Sequence, residues 1–230
     1  AIKSPVILAL EASGDLLSVA LLAEGAVCQH EFYTARHGHA ARILTVVERL
    51  MKTANLTYAQ ITHIAAGCGP GSFTGIRVAL AAAKGLCLAT GAAGMGINGL
   101  AALAAHHSGR VPVLVSAETR RGPCYVQLFD RDGTALTSTF ETLPGEIASA
   151  LPFGLAGLVI VGWQADELAT SLMTAGKGLS VEAVHVAARV DATYIAAFAE
   201  GLIEADKVGE EMKPLYLAPA FLGLAKKAGK

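Results

Sequence analysis

One glycine-rich stretch carries residue types and spacing suited to holding a ligand. Gly67-Cys68-Gly69-Pro70-Gly71-Ser72-Phe73-Thr74-Gly75-Ile76-Arg77 leads from an apolar strand-like run into a helical one. Glycines there allow backbone angles that side chains resist. Ser72 is a natural N-cap, since its hydroxyl can accept from a free amide of the first turn. Amides at such a helix start, with the positive end of the dipole, suit a phosphate or another anion. The anion-binding candidates are therefore Gly69, Gly71, Ser72, Thr74 and Gly75, with Glu11 and Ser13 at the end of the first strand. The stretch is not a P-loop, because the GxxxxGK[ST] spacing and its lysine are missing. A tight turn that only permits close packing and binds nothing explains the same residues.

Other chemistry is weaker. Gly94-Met95-Gly96-Ile97-Asn98-Gly99 fits GxGxxG, and Glu118 follows at about the 20-residue distance of a dinucleotide-binding acid. An NAD-binding enzyme is thus one alternative, opposed by a short, glycine-rich preceding strand. His37 and His39 are two apart, which points them to different helical faces. His106 and His107 are adjacent, and neither pair signals a metal site. No HExxH occurs, and no Ser-His-Asp set stands out. Cys28, Cys68, Cys87 and Cys124 are far apart, which fits a reducing, cytoplasmic setting better than a disulfide scaffold. Arg120 and Arg121 in a turn suit either solvent or a phosphate.

Composition narrows the classes further. The 230 residues are 53% hydrophobic and only 16% charged, with a formal net charge of -1. Such a chain can bury a large core and tends to hide further surface against a partner. It has no basic field for gripping nucleic acid alone. Lys226, Lys227 and Lys230 read as a solvated end. Ala1 to Ser4 do not read as a signal peptide. The uncharged run Gly85 to Gly109 is too rich in glycine and alanine to favour lipid, so no membrane is expected.

The elements that must position these residues occur twice. Strands are expected at 6–12, 16–23 and 26–34, a helix at 39–54, a strand at 61–67, a helix at 73–90 closed by Gly91, a strand at 92–97 and a helix at 99–107. The order restarts with strands at 111–117, 124–130 and 134–141, a helix at 144–151, a strand at 157–161, a helix at 165–175, a strand at 180–186 and a helix at 191–205. Duplicated βββαβα is the layout of the actin, sugar-kinase and Hsp70-like α/β fold, built of two RNase H-like halves. Residues 1–108 form the first and 109–230 the second, with the C-terminal segment packing back on the first. The helix at 73–90 is alanine-rich and apolar on most sides. Its small residues admit a second helix closely, either from its own domain or from another protein. Phe73, Ile76, Arg77, Leu80, Ala82, Ala83, Lys84 and Cys87 are the interface candidates.

GPGSFTGIRVALAAAKGL, Gly69 to Leu86, resembles the signature of the TsaB family, also called YeaZ. Ile7 to Leu22 resembles that family's first hairpin, Ser116 to Asp130 the start of its second domain, and Pro214-Leu215-Tyr216-Leu217 its ending. The resemblance implies a non-catalytic scaffold that pairs with a TsaD-type catalytic subunit through first-domain helices. The assembly puts threonylcarbamoyl on adenosine 37 of tRNA and is visited by a TsaE-type ATPase. It further implies homodimers in isolation and tRNA contact only through the complex, with ATP or ADP at the level of the complex. Four residues depart from the family pattern. Glu11-Ala12-Ser13 stands where Asp-Thr-Ser is usual, Glu118 where Asp is frequent, and Ala218 where Arg is usual. In active relatives the first aspartate helps hold a metal-bound phosphate, so these changes weigh against independent ATP chemistry. A standalone kinase or ATPase of the same fold remains the other alternative.

Overall fold

The computed structural model describes residues 4–34, 39–119, 121–152, 154–176, 178–186, 189–215 and 217. His37, Arg120, Tyr216, Ala218 and the three terminal lysines lie outside them. The first half contains β1 (Ile7–Glu11), β2 (Leu16–Ala23), β3 (Ala26–Thr34), α1 (His39–Thr53), β4 (His63–Gly67), α2 (Phe73–Thr90), β5 (Ala93–Ile97) and α3 (Gly99–His107). The second contains β6 (Val113–Glu118), β7 (Cys124–Phe129), β8 (Phe140–Thr142), α4 (Ile147–Ala150), β9 (Gly157–Gly162), α5 (Ala165–Thr174), β10 (Ser180–His185) and α6 (Ala192–Glu204).

Two five-stranded sheets result, in the orders β3-β2-β1-β4-β5 and β10-β9-β6-β7-β8. Numbered within its own half, each reads 3-2-1-4-5, so the duplication is topological as well as sequential. In each half a three-stranded meander gives the antiparallel pairs. Helical crossovers give the parallel ones. β1 is buried along its whole length, as a central strand covered on both faces must be. Leu8 and Leu10 face the α1–α2 layer, while Ile7 and Ala9 face the other way.

Two expected elements shrink. The strand expected at 134–141 is only Phe140–Thr142. The Thr137 hydroxyl accepts the Leu128 amide at 3.0 Å, and the Thr137 carbonyl accepts from the Gln127 side chain at 3.0 Å. A remnant of the ladder survives in the Phe129–Ala135 bridge and the Leu136 amide donating to the Leu128 carbonyl at 2.8 Å, and around Thr137 side chains take over part of the pairing. The helix expected at 144–151 is a single 3-10 turn at Pro144–Glu146 followed by the one-turn α4.

The halves exchange their last helices. α3 packs Leu100, Leu103 and Ala104 on the second sheet, against Val113, Val115, Phe129 and Val161. α6 packs Ala192, Ile195, Ala196 and Ala199 on the first sheet, against Ile7, Ala9, Ala20 and Leu22. The segment after α6 also returns to the first sheet. Gly96 and Glu210 exchange backbone hydrogen bonds at 2.7 and 3.0 Å, and the Leu215 amide donates to the Cys68 carbonyl at 2.9 Å.

Candidate functional site

The loop into α2 is pressed onto the end of β1. The Ser72 hydroxyl accepts the Gly75 amide at 3.2 Å, which caps the helix as its position predicts. The Ser72 amide donates to the Ser13 carbonyl at 2.6 Å. A side chain at Gly75 would sit 1.8 Å from the Ala12 carbonyl oxygen, and one at Gly71 2.3 Å from that of Ser13. The helix start can approach β1 only because these positions are bare. Gly69 spends its carbonyl on the Gly99 amide at 2.9 Å, tying the loop to α3. Within the loop, packing therefore accounts for Gly69 and Gly75, while Pro70, Gly71, Ser72 and Phe73 face open space between the halves.

Glu11 does not line that space. Its side chain is buried, with Oε1 accepting the Ser13 amide at 2.5 Å and Oε2 without a hydrogen-bond partner among the described residues. A Cβ at Gly67 would lie 1.7 Å from Oε2, so the carboxyl fills the place that a side chain on β4 would take. Burial pushes its pKa up, against the lowering by hydrogen bonds from Ser13 and Ala12. The extra methylene of glutamate folds the acid back under β4 instead of presenting it to a ligand.

The space itself is a cleft of about 380 Å³ between the halves, a size that accommodates a small ligand. Ser13, Gly71, Ser72 and Phe73 form one wall, and Glu118, Arg121, Tyr125 and Trp163 form much of the other. Arg121 is already held by Glu141 at 2.6 Å. Arg189 stands at the rim, with no ion pair among the described residues. Sequence reading missed Tyr125, Trp163 and Arg189. No local motif marks them, but Trp163 directly follows the C-terminal end of β9, where open α/β sheets place ligands.

α2 sorts the interface candidates by face. Ile76 and Leu80 are 4% exposed and Ala83 is 0% exposed, all packed into the core of the first half. They are corrected to core residues, because positions spaced by four and three residues form the stripe that meets the sheet. Phe73, Arg77 and Lys84 are exposed, and Ala82 and Cys87 are half-buried. Thr74, Val78, Ala81 and Ala82 form a shallow groove with Ile43 and Leu44 of α1. Phe73 also borders that groove, with the Arg77 guanidinium 3.5 Å from its ring centre. Phe73 is 55% exposed and Leu88 89% exposed, so large apolar side chains flank small ones on this face.

The GxGxxG segment is not a phosphate turn. Gly94 and Gly96 lie inside β5, paired with β4, and their bare faces are filled by Met212 and Glu211. Among the described residues no group of three or more His, Cys, Asp or Glu is placed to hold a metal. All four cysteines are free thiols, and burial pushes Cys68 and Cys124 up to about 11.

Comparison with known proteins adds the following. The model of the TsaD family, tRNA N6-adenosine threonylcarbamoyltransferase, matches residues 33–206. The chain is 33% identical over 168 residues to the tRNA threonylcarbamoyladenosine biosynthesis protein TsaB of Escherichia coli (strain K12), covering 69% of this chain and 72% of that one. The structure of YeaZ from Pseudomonas aeruginosa aligns with a TM-score of 0.73 at 25% identity, over 93% of this chain and 100% of that one. The ROK hexokinase from Thermus thermophilus aligns with a TM-score of 0.50 at 14% identity, over 87% and 99% of the two chains, a likeness of fold alone.

Proposed function

The chain belongs to the TsaB (YeaZ) family, and on that premise we propose that it is a non-catalytic scaffold subunit in the synthesis of threonylcarbamoyladenosine on tRNA. Its partner is a TsaD-type catalytic subunit, docked on the α1–α2 face. A TsaE-type ATPase and tRNA join through the complex, in the cytoplasm. In isolation the same face supports a homodimer.

The observation that carries this reading is the outer side of α2. Ala81 and Gly85 are exposed small residues between the exposed apolar side chains Phe73 and Leu88, which suits close approach of another helix. The TsaD model covers most of the chain. Two related chains can therefore meet through equivalent faces in a near-isologous pair. The enclosure of Glu11 supports a role without chemistry of its own.

The test is to mix the protein with the TsaD-type protein of the same organism and weigh the complex by native mass spectrometry, with and without ATP. Ala81→Arg and Ala82→Arg should abolish pairing while leaving the fold intact. Pairing of both variants at wild-type affinity rejects the proposal. Ala83→Arg is not a fair probe, because Ala83 lies in the core and a buried unpaired charge unfolds the helix layer.

A second reading, a nucleotide-binding kinase or ATPase, draws on the aromatic and arginine side chains of the cleft together with Ser13, Gly71 and Ser72. It predicts phosphate release by the isolated chain, and release no faster than in buffer removes it.

A further inference from the structure

The C-terminal end of α3 meets the second half through imidazole rings. The His106 ring stands edge-on to Tyr194 of α6, with centroids 4.9 Å apart. His107 lies 4.6 Å from His185 at the end of β10, tilted by 38°, and 5.2 Å from His106. The Nε2 atom of His107 is buried and has no hydrogen-bond partner among the described residues. This contact lies where the halves are knitted together, since α3 covers the second sheet and α6 the first. It also adjoins the cleft. Leu103, one turn before His107 on α3, and Val190, just before α6, both line it.

We propose that His106, His107 and His185 form a proton-operated latch between the halves, closed while the rings are neutral and released when they are protonated. Neutral rings packed edge-on or tilted attract one another. A proton on His107 places a charge about 5 Å from two further imidazole rings, and gives a buried N–H nothing to bond.

Among the described residues, none supplies a counter-charge to His107. Glu182 of β10 reaches over Gly157. Asp191 accepts the Thr193 and Tyr194 amides at the start of α6. Glu118 of β6, Tyr125 of β7 and Arg189 face the cleft. Cys124 of β7 is buried on the far side of the sheet, β9 has no ionisable side chain, and Arg110 is exposed. Among the described residues, the titratable groups that act on His107 are His185 and His106. The carbonyl end of α3 favours a cation. At His107 it is outweighed, because burial first and the two imidazoles second push the pKa down from the ordinary 6.5. The unfolded chain then binds the proton more readily than the folded one. The contact loses stability as the pH falls through 6.5 and on towards the lower folded value.

The experiment is amide hydrogen exchange on the whole chain at pH 7.5 and 5.5, corrected for the intrinsic rate, with ring-proton NMR titration of each histidine. Protection of the last turn of α3 and of β10 should fall on acidification from pH 7.5 to 5.5, while β1 stays protected. His107 should titrate below 6.5. In His107→Phe and His185→Phe, which keep a ring but lose the charge, the fall should vanish. Titration of His107 at or above the ordinary value, pH-independent protection in the wild type, or a response that survives in both variants overturns the latch. If neither variant folds, the wild-type titration and exchange decide alone.

Discussion

Glu11 shows what one residue decides. A carboxyl with no partner for Oε2 among the described residues, buried under β4, is held protonated to a higher pH than in the unfolded chain. The sign follows from linkage. The stability tied to this group is fully present below the unfolded value of about 4.5 and is lost as the pH rises through the folded one. Glu11→Gln cannot ionise, so its stability should decline less than the wild type's between pH 5 and pH 8. Urea denaturation of both proteins at the two pH values measures this, and parallel declines would refute it. The residue was visible in the sequence as a departure from aspartate. That it turns inward was not, because its direction depends on the bare face of Gly67.

Among the elements, α2 was legible almost to the residue. Ser72 caps it, and Gly91 closes it in the left-handed conformation at φ 75°. Its two interior glycines differ sharply. A methyl group at Gly75 meets the Ala12 carbonyl, whereas one at Gly85 meets nothing within 4 Å. Gly75→Ala should therefore destabilise by about 1–3 kcal/mol or more. Gly85→Ala should stabilise by about 0.5–1 kcal/mol through the helix propensity of alanine. Thermal denaturation separates the two. Gly85→Ala should also weaken pairing with the TsaD-type subunit, since the added methyl stands on the proposed docking face. A variant that is more stable and pairs as well as the wild type would count against that face.

At the scale of the molecule, the halves are not independent bodies. α6 buries Ile195, Ala196 and Ala199 on the sheet of the first half. A fragment of residues 1–108 should therefore lack that cover and give a poorly dispersed NMR spectrum, to be sharpened by adding the second half. A well-dispersed spectrum of the fragment alone would show that the exchange of helices is dispensable. The joint is also polar. The Asn98 amide donates to Gln127 Oε1 at 3.0 Å, and the Thr139 hydroxyl donates to the same oxygen at 2.8 Å. Gln127→Ala leaves both donors without an acceptor and should cost about 1–3 kcal/mol, readable by urea denaturation.

Local sequence determined the periodic elements, their order, their duplication and the caps of α2, because periodicity, turn residues and N-cap chemistry act within a few neighbouring residues. It failed at 134–139, where side-chain hydrogen bonds interrupt the ladder, while Gly94 and Gly96 of the disfavoured phosphate turn lie in a strand. Only the tertiary structure decided which stripe of α2 faces the sheet, that Trp163 and Arg189 share a cleft with Ser72, and that α3 and α6 trade sheets. Those outcomes join residues far apart in the chain, so no local preference encodes them. Packing of one half against the other settles them.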